Sequence, residues 1–411
     1  MVWLHALRDR LRLSLWFLPG LFAIGAAVLA VVLVYVDDQL SAEPGTLFFM
    51  FGGTADGARS ILSTIAQSML TFTGLVFTIT MLVLQLASSQ LSPRVMRTFL
   101  RDRGNQVVLG LFVATFVYTL LVLREVRSPV EDDDRFVPAL SIWVAFTLLL
   151  VSVGAFIYYI DHMAHAIRAS SVITSIWAET VAAIDRLFPE RVGAEAVADD
   201  APPTGRTRPD LVLKSPGAGV LVAVDEEKLV KAASRDDRML ELLPSVGDFV
   251  PEGAPLARLW GEWDRDAADD VRAAIGLEEE RTLDQDAAFG FRQLVDMAVR
   301  ALSPGTNDPT TAVQALDRIH DLLRRLALRH FPSPFRSDGD GTVRLVLPRP
   351  DWDDYVRLGL DEIRDSGKSQ IQVTRRLRQV LEDLASIAPA DRQPVIAEEL
   401  DKLDRLREPG S

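Results

Sequence analysis

The chain has 411 residues, no cysteine, 44 Lys+Arg against 57 Asp+Glu and a formal net charge of −13, with 48% hydrophobic residues. Without cysteine there is no disulfide, thiolate nucleophile, iron–sulfur cluster or cysteine-bound zinc, and a net-negative chain is a poor nucleic-acid binder. The mean hydropathy is positive, +0.15, and the two ends differ: the first 160 residues balance 11 basic against 11 acidic side chains, so the whole net charge lies after them.

Residues 13–36 form a charge-free apolar run long enough to cross about 30 Å of hydrocarbon. It is longer than the apolar region of a signal peptide. Three more such runs follow at 61–87, 107–123 and 139–160, so four transmembrane helices are expected. Arg8, Arg10 and Arg12 precede the first span, and Arg94, Arg97, Arg101 and Arg103 follow the second. The other two connections are acidic, with Asp37, Asp38, Glu43 and Asp56 in one and Glu125 and Glu131–Asp134 in the other. The alternation places both termini and the large C-terminal body in the cytoplasm. Leu4, Leu7, Leu11, Leu15 and Leu18 share one helical face, with His5, Arg8 and Arg12 on another. That pattern fits either a basic helix lying on the inner leaflet or an extension of span one ended or kinked at Pro19.

Span two is unlike a plain anchor. At about 100° per residue, Ser60, Thr64, Gln67, Thr71, Gly74, Thr78, Leu82, Gln85 and Ser89 fall in one narrow arc, and only Leu82 among them is apolar. The opposite side carries Leu62, Ile65, Phe72, Val76, Ile79, Val83 and Leu86, with Thr73 and Thr80 as exceptions. Two readings compete. Hydroxyls and amides can replace part of an ion's hydration shell, with Leu82 as a dewetting constriction, but one helix encloses no pore, so a homo-oligomer is required. Alternatively, small and polar residues pack helices together. No span carries an ionisable side chain, which favours a passive channel or a sensor over a proton-coupled carrier.

After span four, His162 and His165 share a helix face, where a structural role at the interface outweighs a metal site. Residues 193–209 are a small-residue and proline-rich linker. Residues 210–262 read as short strands, with Asp225 capping a helix, and the run Val246-Gly247-Asp248-Phe249-Val250-Pro251-Glu252-Gly253 places a very short strand between two turns. This run resembles the barrel-sandwich fold of biotinyl and lipoyl domains, but Lys214, Lys228 and Lys231 lack the hairpin context of a carrier lysine.

Residues 263–411 are mostly helical, with one alternating strand at 342–347. Pro309 fits a first helical turn with Asp308 as its N-cap and Asn307 before it. Asp286, Arg292, Gln293, Asp296 and Arg300 form a candidate polar cluster beside this turn. A buried ion-pair network explains it as well as a catalytic site does, since no nucleophile with a base stands out. Lys368, Arg375, Arg376 and Arg378 read as a solvated face, and no Walker A loop, dinucleotide fingerprint or HExxH occurs.

Two runs together resemble a known family. One is Ser88-Ser89-Gln90-Leu91-Ser92-Pro93-Arg94 with Phe99-Leu100-Arg101-Asp102. The other runs from Gln285-Asp286 to Ala301-Leu302-Ser303-Pro304-Gly305-Thr306-Asn307-Asp308-Pro309. They are similar to the bacterial membrane-protein family known as domain of unknown function 2254, in which an aliphatic residue is usual where Thr306 stands. The resemblance implies a bacterial inner-membrane protein with four spans and no established activity.

The expected architecture is therefore a four-span all-α transmembrane domain (1–168), a helix and linker (169–209), a small β-rich module (210–262) and a mostly helical domain (263–411), the last three making an α+β cytosolic region. The expected function is a homo-oligomeric ion channel lined by Thr64, Gln67, Thr71, Gly74, Thr78 and Gln85 with Leu82 as the constriction. A membrane sensor or scaffold is the alternative. The expected partners are the lipid bilayer, further copies of the chain and inorganic ions. No enzymatic activity, cofactor, metal or nucleic acid is expected.

Overall fold

The computed structural model describes residues 16–41, 54–90, 103–127, 137–166, 168–188, 208–235 and 237–406, less the side chains of residues 40, 41, 86–90 and 166. The basic N-terminal face from Leu4 to Leu15, the arginines 94, 97 and 101, the acidic run Glu131–Asp134 and the linker up to residue 207 lie outside the described residues. The chain forms two compact units, Met1–Arg168 and Ala169–Ser411.

Among the described residues the first unit holds four helices, α1 (Phe17–Ser41), α2 (Ala55–Gln90), α3 (Arg103–Glu125) and α4 (Ala139–Ala166). Each is long and apolar enough to cross a membrane. All four overrun the charge-free cores that betray them. α2 begins at Ala55, not Ile61, because Thr54 caps it: the Gly57 amide donates to Thr54 Oγ1 at 3.2 Å. Pro19 does not break α1. It sits in the first turn, where its missing N–H is not needed.

α3 is the axis of this unit. Half of its apolar window is buried, 50% against 17–22% for the other three. α1 lies close upon it, so that a Cβ on Gly110 would stand 3.1 Å from Phe22 Cγ. Phe72 of α2 stacks on Phe156 of α4 at 4.8 Å, with Phe112 of α3 beside both.

In the second unit, α5 (Ala169–Leu187) precedes β1 (Leu211–Lys214), β2 (Gly219–Val224), α6 (Glu226–Ser234), β3 (Met239–Leu242), β4 (Phe249–Val250), β5 (Pro255–Trp260), α7 (Arg265–Ala273) and β6 (Ile275–Glu278). Then come α8 (Ala287–Ala301), α9 (Pro309–Ala327), β7 (Phe335–Ser337), β8 (Val343–Val346), α10 (Trp352–Gly367), α11 (Ile371–Ile387) and, after a 3-10 turn at Ala390–Arg392, α12 (Gln393–Arg405). One sheet has the order β1-β5-β3-β8-β7 and the other β4-β2-β6. All pairs are antiparallel except β3 with β8, where Leu240 faces Leu345. The strands of 210–262 thus recruit β6, β7 and β8 from later in the chain. Their apolar faces close on one core that includes Leu213, Leu221, Leu229, Leu240, Leu259 and Leu345. The glycine turns around β4 are real: Gly247 and Gly253 have φ of 101° and 75°, a region that favours glycine.

The helical layer is organised on α8, buried along most of its length. Gly290 permits its approach to α5, for a Cβ there would lie 1.9 Å from Thr180 Oγ1.

Candidate functional site

The polar arc of α2 faces away from its own bundle. Thr64, Gln67, Thr71, Gly74, Thr78, Leu82 and Gln85 are all exposed in a single copy of the chain. Leu62, Ile65, Met69, Val76 and Val83, on the opposite side, are buried. Two helical turns separate Thr71 from Thr78 and bring them to within about 20° of each other. The arc is flanked by exposed apolar residues, Leu70, Phe77 and Met81 on one side and Leu75 on the other.

The hydroxyls of the arc are already committed as donors. Thr64 donates to the Ser60 carbonyl at 2.8 Å, Thr71 to Gln67 at 3.0 Å and Thr78 to Gly74 at 2.9 Å. Each proton points back along the helix, so what these hydroxyls offer outward is oxygen lone pairs. At Gly74, where an added Cβ would meet nothing within 4 Å, the rod is at its thinnest.

Polar groups that serve packing are placed differently. Thr80, an exception on the apolar side, meets Tyr159 of α4 at 2.8 Å, and the Tyr159 hydroxyl donates to the Val76 carbonyl at 3.0 Å. Buried Thr115 of α3 meets Ser152 of α4 at 3.2 Å, and Tyr118 donates to the Ser141 carbonyl at 3.0 Å. Bundle-forming hydroxyls point inward and bond across helices, whereas those of the arc do neither.

One charged group missed as structural in the sequence is Asp37. It reads as a loop acid, yet it is fully buried at the end of α1. Its carboxylate accepts the Leu140 amide, the Ser141 amide (both 2.9 Å) and the Ser141 hydroxyl (2.6 Å). The start of α4, Pro138-Ala139-Leu140, supplies no cap of its own, and a carboxylate is favoured at a helix N-terminus. The missing cap was the available signal. Arg59 of α2 closes the end of α3 by donating to the Val126 carbonyl at 2.8 Å.

The polar residues of the second unit divide into separate groups. Asp286 N-caps α8, accepting the Phe289 amide at 3.0 Å, and pairs with Arg281 at 2.7 Å rather than with Arg292. Burial pushes the Asp286 carboxyl above its ordinary range against the pull of Arg281. The adjacent Gln285 acts as a strand surrogate: its Oε1 accepts the Val224 amide at 2.9 Å and its Nε2 donates to the Val224 carbonyl at 3.3 Å. Arg292 joins Asp296 at 2.6 Å and Glu362 of α10 at 2.7 Å, and these bonds, that to Glu362 foremost, raise its pKa. Arg300 lies exposed at the end of α8. Asp308 caps α9, accepting from the Thr311 hydroxyl at 2.6 Å and from the Thr310 and Thr311 amides. Asn307 takes a left-handed φ of 47° and accepts from Gln370 at 3.0 Å. Among the described residues no group of three or more His, Asp or Glu is placed to share a metal. His165 bonds to the Asp161 carbonyl at 2.8 Å, and His162 stacks on Tyr158.

Four apolar helices followed by a mixed helix-and-sheet unit define an integral membrane protein with a large extramembrane body. The family described as "Predicted membrane protein (DUF2254)" matches residues 12–383, and the chain belongs to that family. It is 35% identical over 390 residues to Uncharacterized protein Rv1290c of Mycobacterium tuberculosis and to Uncharacterized protein Mb1321c of Mycobacterium bovis, covering 92% of this chain and 73% of each relative. No solved structure matches the chain.

Proposed function

We propose that the chain assembles as a homo-oligomeric ion channel of the bacterial inner membrane, with both termini and the C-terminal unit in the cytoplasm and no enzymatic role. The observation that carries this is the outward polar arc of α2, set opposite the packed face and bordered by apolar flanks. Hydrocarbon is a poor medium for two glutamine amides and a row of hydroxyl oxygens. Copies arranged about an axis would place the arcs on water and the flanks Leu70, Phe77 and Leu75 against neighbours or lipid. Back-bonded hydroxyls present oxygens rather than protons, which suits a cation. Leu82, 53% exposed in one copy, would ring the pore as its apolar constriction.

A scaffold in which neighbouring copies seal the arc is favoured by one feature, the thin surface at Gly74, which admits a close helix approach. Purified full-length protein in planar bilayers separates the two. A channel gives discrete openings, a reversal potential that favours potassium over chloride, and higher conductance in Leu82→Ser. Silence from wild type and Leu82→Ser, both in intact oligomers, overturns the channel and leaves the scaffold.

A further inference from the structure

The second unit contains a cavity of about 150 Å³ between its sheet layer and the helical layer. A hole of this size in another protein holds a benzene molecule. Its wall is mostly apolar, including Phe188, Leu242 and Leu347, and its polar groups are few. Two of those are spent. Gln285 is bonded to the Val224 backbone through both ends of its amide, and Asp286 is held by Arg281 and the Phe289 amide.

The other polar groups are not fully matched. Glu226 is shared by Arg336 and Arg349. Around the cavity Arg281 has Asp286, with the exposed Asp248 near it, whereas Arg336 and Arg349 have Glu226 between them. Burial, aided by neighbouring Arg336, depresses the pKa of Arg349 despite its pairing with Glu226. Arg349 lies between Pro348 and Pro350, which restrict the backbone on both sides and hold it in place. Tyr355 is only 3% exposed, with its ring packed on Phe188 and Phe291. Tyr355 lines the cavity beside Arg349. Burial pushes the pKa of the Tyr355 hydroxyl up, so it stays protonated and can donate.

We propose that this cavity is a binding site for a small organic monocarboxylate, its carboxylate received by Arg349 and the Tyr355 hydroxyl and its hydrocarbon body by the apolar wall. The assignment stands apart from the channel reading, because every lining residue belongs to the second unit. A carboxylate supplies negative charge beside the one that Glu226 divides between two arginines.

The test uses the full-length chain in lipid nanodiscs with benzoate as the probe, followed by calorimetry and ligand-observed NMR. Benzoate is expected to bind saturably at about 10 mM or tighter. Tyr355→Phe keeps the ring and loses one hydrogen bond, so affinity falls about five- to ten-fold while the melting temperature holds. Arg349→Lys keeps the charge and loses the planar fork, with a larger loss. It carries the test alone if Tyr355→Phe does not fold. Neutral benzamide does not displace benzoate. Absence of saturable benzoate binding, equal binding in both variants, or equal binding of benzamide each overturns the assignment.

Discussion

The orientation of the α2 arc makes a chemical prediction that needs no current recording. The chain has no cysteine, so a single introduced thiol can be followed without background. Thr71→Cys places it in the middle of the arc, Leu70→Cys on the apolar flank about 100° away, and Val76→Cys on the buried side. Only the thiolate reacts with a water-soluble methanethiosulfonate. In water at about pH 8 a thiol of ordinary pKa near 8.5 is roughly one-quarter ionised. Transfer to an apolar setting raises that pKa by about three units or more, which leaves less than about 0.1% thiolate. Thr71→Cys is therefore expected to react about a thousand-fold faster than either control in native membranes, read as a mass shift against time. The oligomer need not be open for this, since a wet arc on either side of Leu82 admits the reagent. Rates for Thr71→Cys and Leu70→Cys within tenfold of each other would refute a water-facing arc and the pore with it.

Two further outcomes bear on the second unit. Gly290→Ala puts a methyl on Thr180 Oγ1, and overpacking of this kind costs about 1–3 kcal/mol. The second-unit transition should fall by several degrees in calorimetry and recover in Gly290→Ala/Thr180→Ala, and an unchanged melting temperature would show that α5 and α8 are not so closely set. Hydrogen bonds from the Thr311 side chain and then its amide hold the Asp308 carboxyl below the usual carboxylate range. That stabilisation is present in full above the unfolded carboxylate value and is lost as pH falls through the depressed one. Asp308→Ala should thus cost about 1 kcal/mol at neutral pH. The gap from wild type should close in melts below about pH 4, and a gap independent of pH would contradict the cap.

Much of the fold is legible because its causes are local. A charge-free run of spanning length has few alternatives in hydrocarbon, and Asp225 and Asp308 announce their helices by position alone. Gly247 and Gly253 mark the turns around β4 by the φ they take. What stays hidden depends on distant partners. β6 lies in Ile275-Gly276-Leu277-Glu278 beside a run of glutamates and becomes a strand only because β2 is there to pair with it. Arg292 has Asp296 in reach on its own helix, but Glu362 comes from a different helix whose packing no spacing rule states. Periodicity separates the two faces of α2 but does not say which meets its own chain. That was settled by Phe72, Val76 and Thr80 finding aromatic and hydroxyl partners on α4.

Asp37 gives the membrane unit an order of construction. Of the four described helices, the first carries the carboxylate and the fourth carries the donors that meet it. Without α4 that acid, near the end of an apolar rod, lacks the two amides and the hydroxyl that α4 gives it. Until α1 is alongside, α4 has nothing to quiet its leading amides. The bond between them acts as a latch that shuts only when all four rods are present, so a chain stalled after its third span is left with its ends unfastened.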